Sequence, residues 1–242
     1  AARTNCSQKI VEAMYRAFAP LTPDRVTAGS HGQITTCGFG GVNPVDGERF
    51  IYTEIQVGGN GARPTKDGAD GQDGHLPRFM NTPVEAVETR FPVRVERYEF
   101  IPDSGGAGTY RGSLAMVRDI RMLADNVSFA RYADRHTHAP FGLFGGKEGS
   151  KGLFLLNPGA ENEKRLKSKG LDTLSQGDLI SLRMPGAGGY GDPLARDLDL
   201  IDRDLKDGKI SPECTESDYQ VVLDRSGQSV DHARTHKKRI DG

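Results

Sequence analysis

Phe91-Pro92-Val93-Arg94-Val95-Glu96-Arg97-Tyr98-Glu99-Phe100-Ile101 runs into Pro102-Asp103-Ser104-Gly105-Gly106-Ala107-Gly108-Thr109-Tyr110-Arg111-Gly112. The first half alternates β-formers with charges and predicts a strand over 94–101; the second is a glycine-rich loop that no helix tolerates. The same alternation of strand and glycine punctuation extends in both directions. Upstream, Thr35-Thr36-Cys37-Gly38-Phe39 and Phe50-Ile51-Tyr52-Thr53-Glu54-Ile55-Gln56-Val57 flank the turn Asn43-Pro44-Val45-Asp46-Gly47, which reads as a β-hairpin. Downstream come β-rich segments over 113–133, a strand over 152–156, a charged hairpin over 161–169 and a strand over 178–184. Residues 7–18 place Ile10, Val11, Met14 and Phe18 at helical spacing, and 195–205 and 212–222 carry helical periodicity. The expected fold class is α+β: a β-rich core with glycine-rich loops, one N-terminal helix and C-terminal helices. Residues 1–223 form one unit in this reading, and 224–242 a polar, frayed tail.

Bulk composition narrows the function. The 242 residues contain 31 glycines, about twice the ordinary ~7%, and no G-X-Y period, so the excess marks tight turns and close backbone approaches. A net charge of −1 supplies no field for nucleic acid or anionic lipid. Cys6, Cys37 and Cys214 are scattered, with no C-x-x-C spacing. No basic segment leads an apolar run and no stretch of about 18 apolar residues occurs, so the expected protein is cytoplasmic, with neither membrane span nor nucleic-acid partner. The start at Ala1-Ala2-Arg3, without Met, reads as a truncation.

Residues 58–81 must form a long loop, a length usually associated with function or disorder. Gly58-Gly59-Asn60-Gly61-Ala62 lacks the Lys-Ser/Thr ending of a P-loop and no helix follows, so it reads as a structural turn. Asp67, Asp70 and Asp73 miss the EF-hand register and read as a solvated loop. His75 beside them titrates near neutrality and is a candidate for proton transfer. Asp134, His136 and His138 would share one face of a strand, and His136 is the second proton-transfer candidate, with metal binding the less favoured use. Glu85 and Glu88 would share a helix face; buried together they could divide acid and base roles, exposed they are N-terminal helix charges. Asp103 and Arg111 flank the glycine loop as a catalytic and a substrate-binding candidate, with a loop clamp as the equal alternative. Asn81 is a further substrate-binding candidate. Ser104, in Asp-Ser-Gly-Gly, does not match a nucleophile elbow.

The ordered set comprising the helix over 5–18, Gly58 to Ala62, Asn81 to Glu88, Phe91 to Gly112, Pro140 to Gly146 and Pro185 to Arg196 resembles the hydantoinase B/5-oxoprolinase family, in the C-terminal half of its B-type subunit. The departures are small for small: Ser113 follows Gly112 where the family has a doubled glycine, and Ala187 interrupts a glycine run. The resemblance implies an ATP-dependent hydrolase of cyclic amides, or alternatively an ATP-dependent ketone carboxylase. From another class, the chain reads as a non-catalytic assembly module. It further implies ATP bound by an A-type partner subunit or domain, a divalent metal whose ligands lie outside this segment, a cyclic amide as substrate, and an oligomeric assembly without which the chain is inactive.

Overall fold

The computed structural model describes residues 2–32, 34–76 and 80–241. Nine strands form two antiparallel sheets. One has the order β2-β1-β5-β8, from β1 (Thr35–Val42), β2 (Arg49–Gln56), β5 (Val127–Tyr132) and β8 (Lys169–Leu174). The other has the order β3-β4-β9-β6-β7, from β3 (Val93–Ile101), β4 (Ala115–Met122), β6 (Leu153–Leu156), β7 (Lys164–Leu166) and β9 (Leu179–Arg183). Period-two alternation gives each sheet an apolar face. Phe39, Tyr52, Phe129 and Leu174 from the first join Ile120, Met122, Phe154 and Leu182 from the second in one buried cluster. The expected hairpin is β1–β2, with Thr35 opposite Gln56 and Val42 opposite Arg49.

The charged hairpin over 161–169 is corrected. β7 pairs with β6 in one sheet and β8 with β5 in the other, so the link after Leu166 passes between sheets instead of turning back. Leu166 is buried in the core and Lys169 pairs with Tyr132, which pulls the two ends apart.

α1 (Ala2–Phe18) forms as expected but faces the other way. Asn5, Gln8, Glu12 and Ala19 are buried, while Ile10, Met14 and Phe18 are about half exposed or more, at 61%, 52% and 50%. Asn5 and Glu12 hold the inward face because they have partners there: Asn5 Oδ1 accepts from Ile34 N at 2.6 Å, and Glu12 accepts from Ser30; Gln8 between them keeps both amide atoms unpaired. A satisfied buried polar group costs little, whereas an orphaned one costs several hydrogen bonds' worth.

Four glycine-rich segments pack backbone against backbone beside the sandwich. Ala62 N donates to Gly188 O (3.0 Å), Gly188 N to Gly29 O (2.8 Å) and Gly29 N to Phe141 O (2.8 Å). A Cβ on Gly61 would strike the Ala28 carbonyl, and one on Gly188 the Phe141 carbonyl. Close main-chain approach, not turn formation, therefore explains Gly58 to Ala62, whose Asn60 and Ala62 amides are already spent on protein carbonyls.

The C-terminal part adds α3 (Leu198–Lys206), α4 (Pro212–Tyr219) and α5 (His232–Asp241) around a second small core of Leu198, Ile201, Ile210, Tyr219 and Val221. Residues 224–241 are not a frayed tail: Leu223 bridges Val230, and α5 docks through fully buried Thr235, whose Oγ1 accepts from Val222 N at 2.9 Å. Arg239 donates to Tyr219 O at 2.7 Å. The remaining helix, α2 (Val84–Arg90), follows Pro83 and buries only Val87.

Candidate active site

The inward polar face of α1 meets three loops. Glu12 Oε1 accepts from Ser30 N (2.9 Å) and Ser30 Oγ (2.7 Å), and its Oε2 accepts from Arg135. His75 Nε2 lies 4.0 Å from Glu12 Oε1, and its ring meets Tyr15 edge-on at 5.2 Å. Next to it, His31 is fully buried; its Nδ1 lies 3.0 Å from Gly59 O and its Nε2 3.5 Å from Asp73 Oδ1. A carbonyl only accepts, so Nδ1 carries a proton, and Nε2 faces the Asp73 carboxylate.

This cluster has unused capacity, with several unpaired atoms gathered at one place. His31 Nε2, Asp73 Oδ2, His75 Nε2 and both amide atoms of Gln8 are buried without a hydrogen-bond partner. Such groups are rare in native interiors and mark a catalytic role or a place for water or ligand. Burial lowers the His75 pKa; the Glu12 carboxylate opposes that shift and His31 adds to it. The imidazole is therefore neutral at pH 7, with Nε2 available to take or give a proton. These are also the atoms with metal-ligand chemistry, although no three His, Cys, Asp or Glu side chains among the described residues close around one point.

On the outer side of Arg135 the cluster continues into an open cavity of about 480 Å³ lined by Lys9, Arg135, His136, His138, Ser168 and Lys169, among others. His136 packs edge-on against Phe154 at 4.6 Å. Its pKa falls to about 4, through burial first and the Arg165 charge second. β5 ends at Tyr132, and Arg135 takes φ 59, so 134–138 is an irregular loop and not the strand expected to align Asp134, His136 and His138. Asp134 instead binds Lys169 at 2.9 Å.

The other sequence candidates lie elsewhere. Asn81 Nδ2 donates to Glu54 Oε1 (3.0 Å) and Ile55 O (2.9 Å), and its oxygen accepts from Tyr98 OH (2.9 Å). It thereby caps the buried Glu54–Arg118 pair between the sheets. Glu85 and Glu88 are exposed on α2, which removes the burial that paired acid and base roles need; Glu88 accepts from Val95 N at 2.7 Å.

Asp103 and Arg111 belong to the C-terminal attachment. Asp103 Oδ1 accepts from Ser211 N at 2.7 Å, ahead of α4. Arg111 is 2% exposed and holds Asp204 (3.2 Å), Asp70 (3.4 Å) and Gly112 O (2.6 Å), leaving it no open face for a substrate. Asp67 binds Arg196 through both oxygens, at 2.6 and 2.8 Å, and accepts from Arg111 N. The expected solvated aspartate loop is therefore an ion-paired wall. Ser104 is a turn clamp: its Oγ donates to Ile101 O (2.5 Å) and accepts from Ala115 N (2.7 Å).

Of the sequence candidates, His75 and His136 lie in this region, beside Glu12, His31 and Gln8, which were not among them. The available signal was the spacing of Asn5, Gln8 and Glu12, a polar stripe along one helix face. It was masked by the better-known apolar stripe of Ile10, Met14 and Phe18.

A protein of Methanocaldococcus jannaschii is 37% identical over 96% of this chain and 40% of its own length. The caprolactamase subunit beta of Pseudomonas jessenii is 29% identical over 99% of this chain and 43% of its own. The crystal structure of the ATP-dependent caprolactamase from that organism superposes with a TM-score of 0.76 at 27% identity, over 93% of this chain and 40% of that one. Nucleotide-free acetone carboxylase shares the fold, with a TM-score of 0.77 at 22% identity, over 96% of this chain and 36% of that one. The chain thus spans about 40% of the length of these relatives. Residues 1–193 match the family described as Hydantoinase B/oxoprolinase, and the chain belongs to that family.

Proposed function

We propose that this chain is part of the B-type component of an ATP-dependent cyclic-amide hydrolase, of the 5-oxoprolinase or N-methylhydantoinase type, acting in the cytoplasm. ATP is held by an A-type partner subunit or domain, and the rest of the B-type component completes the chamber. The observation that carries this reading is the likeness to caprolactamase subunit beta along nearly the whole chain. The buried group of His31, Asp73 and His75, with unpaired atoms beside the engaged Glu12, supports it by giving the chain acid–base capacity.

Amide hydrolysis needs a poor electrophile activated and a proton delivered. Transfer of the ATP γ-phosphoryl group to the amide oxygen, releasing ADP, would supply the activation. Water would then add at the carbon, the C–N bond would break as the ring nitrogen takes a proton, and a second water would hydrolyse the resulting acyl phosphate to carboxylate and phosphate. In this scheme His75 Nε2 handles a proton, with Glu12 beside it to stabilise the imidazolium while it exists. The metal that the family resemblance implies finds no closed ligand set among the described residues, and no step is assigned to it.

The test is ATP hydrolysis by the chain co-expressed with its companion subunits, in the presence of 5-oxoproline, hydantoin, or small ketones plus bicarbonate. Stimulation by a cyclic amide is the expected result. Stimulation by ketone plus bicarbonate alone would replace the hydrolase with a carboxylase, and no stimulation by any would leave an assembly module.

A further inference from the structure

The cavity beside α1 has a chemical bias that the hydrolase reading does not use. Lys9 reaches it from α1, Arg135, His136 and His138 from the loop after β5, Ser168 from the link before β8, and Lys169 from the start of β8. Two carboxylates adjoin it, Asp134 within the lining itself, and both are engaged. Glu12 serves Arg135 and Ser30, and Asp134 holds Lys169 at 2.9 Å. Lys9 Nζ is buried with no hydrogen-bond partner, and no ion-pair partner is found for it among the described residues. Arg135 Nε and His136 Nε2 are likewise buried and unpaired.

A buried ammonium without an acceptor is costly, because desolvation is not repaid by a counter-charge. Here the cost is visible: burial first, and then the Arg135 charge, bring Lys9 down to about 8 against the partial support of the Glu12 and Asp134 charges, so it still carries its proton at pH 7. Two cations at an open cavity, Lys9 and Arg135, with a neutral His136 that donates when its Nε2 carries the proton and with the local carboxylates already committed, form a receptor for a small anion.

We propose that this cavity binds an oxyanion, a carboxylate or a phosphate, through Lys9 Nζ, with Arg135 and His136 as the flanking donors. The inference rests on the cavity alone and stands whether or not the chain serves a cyclic-amide hydrolase. At about 480 Å³ the space accommodates a group larger than a bare ion. The anion is therefore read as one end of a larger molecule.

The experiment is calorimetric titration of the protein, as isolated with any subunit that co-purifies, with inorganic phosphate and separately with acetate, at constant ionic strength in chloride. Saturable binding is expected, weakened about tenfold or more by Lys9→Met and nearly kept by Lys9→Arg, as the loss of one charge-assisted contact implies. Lys151→Met, on an exposed residue outside the cavity, should bind as the parent does. Preference for phosphate points to a phosphoryl group, and preference for acetate to a carboxylate. Absence of binding above chloride, or unchanged affinity in Lys9→Met, overturns the proposal. Should Lys9→Met fail to fold, acylation of Lys9 by an N-hydroxysuccinimide ester, followed by peptide mass spectrometry, decides. Slowing by either anion supports the site, and equal rates with and without both reject it.

Discussion

Two buried charged clusters stand in this molecule, and they are built on opposite plans. In the C-terminal attachment each guanidinium meets two carboxylates: Arg111 meets Asp70 and Asp204, and Arg196 meets Asp67 and Asp204. Lys209 adds a further cation at 3.8 Å from Asp70, so the charges balance. Arg196 Nε and Asp204 Oδ1 lack hydrogen-bond partners there, but every charge has an opposite charge within 3.8 Å. Under α1, by contrast, Lys9 has no such ion pair among the described residues, His31, Asp73 and His75 also keep buried atoms without hydrogen-bond partners, and a cavity opens beside them. A closed network fixes geometry, and an incomplete one is waiting for something to bind or for a proton to move. The difference teaches that charge and burial alone do not mark a functional site. Arg111, the more conspicuous residue in sequence, serves the structural cluster, while His31 and Glu12 serve the other.

The largest expected effect tests the closed cluster. Arg196→Met leaves Asp67 and Asp204 buried without their main counter-charge and should cost about 3–5 kcal/mol in urea unfolding. Adding Asp67→Leu and Asp204→Leu should recover much of that loss, since apolar replacement of a whole buried ion group is often tolerated. A loss below about 1 kcal/mol for the single variant would show that the cluster does not hold the C-terminal helices.

The open cluster should respond in activity and not in stability. His75→Gln is expected to lower kcat of the assembled enzyme by about 100-fold, with unfolding free energy changed by less than about 1 kcal/mol. Equal effects on both would make His75 a packing residue and erase the distinction between the clusters.

Acid titration separates the two by pH. His136 has a folded pKa of about 4 against an ordinary 6.5. The unfolded chain therefore binds more protons between those values, and the stability His136 contributes above pH 6.5 is lost as pH falls toward 4. For Asp67, burial raises the pKa, but the Arg196 and Arg111 contacts outweigh it and leave it below 3.8. Its contribution is present above that value and disappears only at lower pH. Thermal melts across this range should show His136→Leu flattening the upper part of the profile and Asp67→Asn the lower.

The smallest effect belongs to Glu85→Ala. The side chain is exposed on α2 and should change neither turnover nor stability beyond about 0.5 kcal/mol. A large kcat loss with normal assembly would place a binding surface on that helix, away from both clusters.

Strands were readable because period-two alternation is local: 35–39, 50–57 and 94–101 each carry it, and each is a strand. The link between β7 and β8 was not, because a charged run of that length suits a hairpin equally well until Leu166 and Lys169 are seen in different sheets. α5 was missed because His232-Ala233-Arg234-Thr235-His236-Lys237-Lys238-Arg239 has no apolar period; one buried Thr and an Arg reaching two carbonyls dock it instead. Of the site candidates, His75 and His136 reach the α1 region, since a histidine beside glycine-rich loops is a usable local cue. Asn81, Asp103 and Arg111 each found partners far along the chain.

By itself, the sequence determined the β-rich architecture and the family, because alternation, glycine punctuation and an ordered set of motifs are all properties of neighbours along the chain. Only the tertiary structure decided which polar groups are spent and which remain available. Glu12 meets Arg135 across 123 positions and Asp67 meets Arg196 across 129. A carboxylate's role is set by the charge that arrives beside it and the water that is excluded, and neither is written in its immediate sequence.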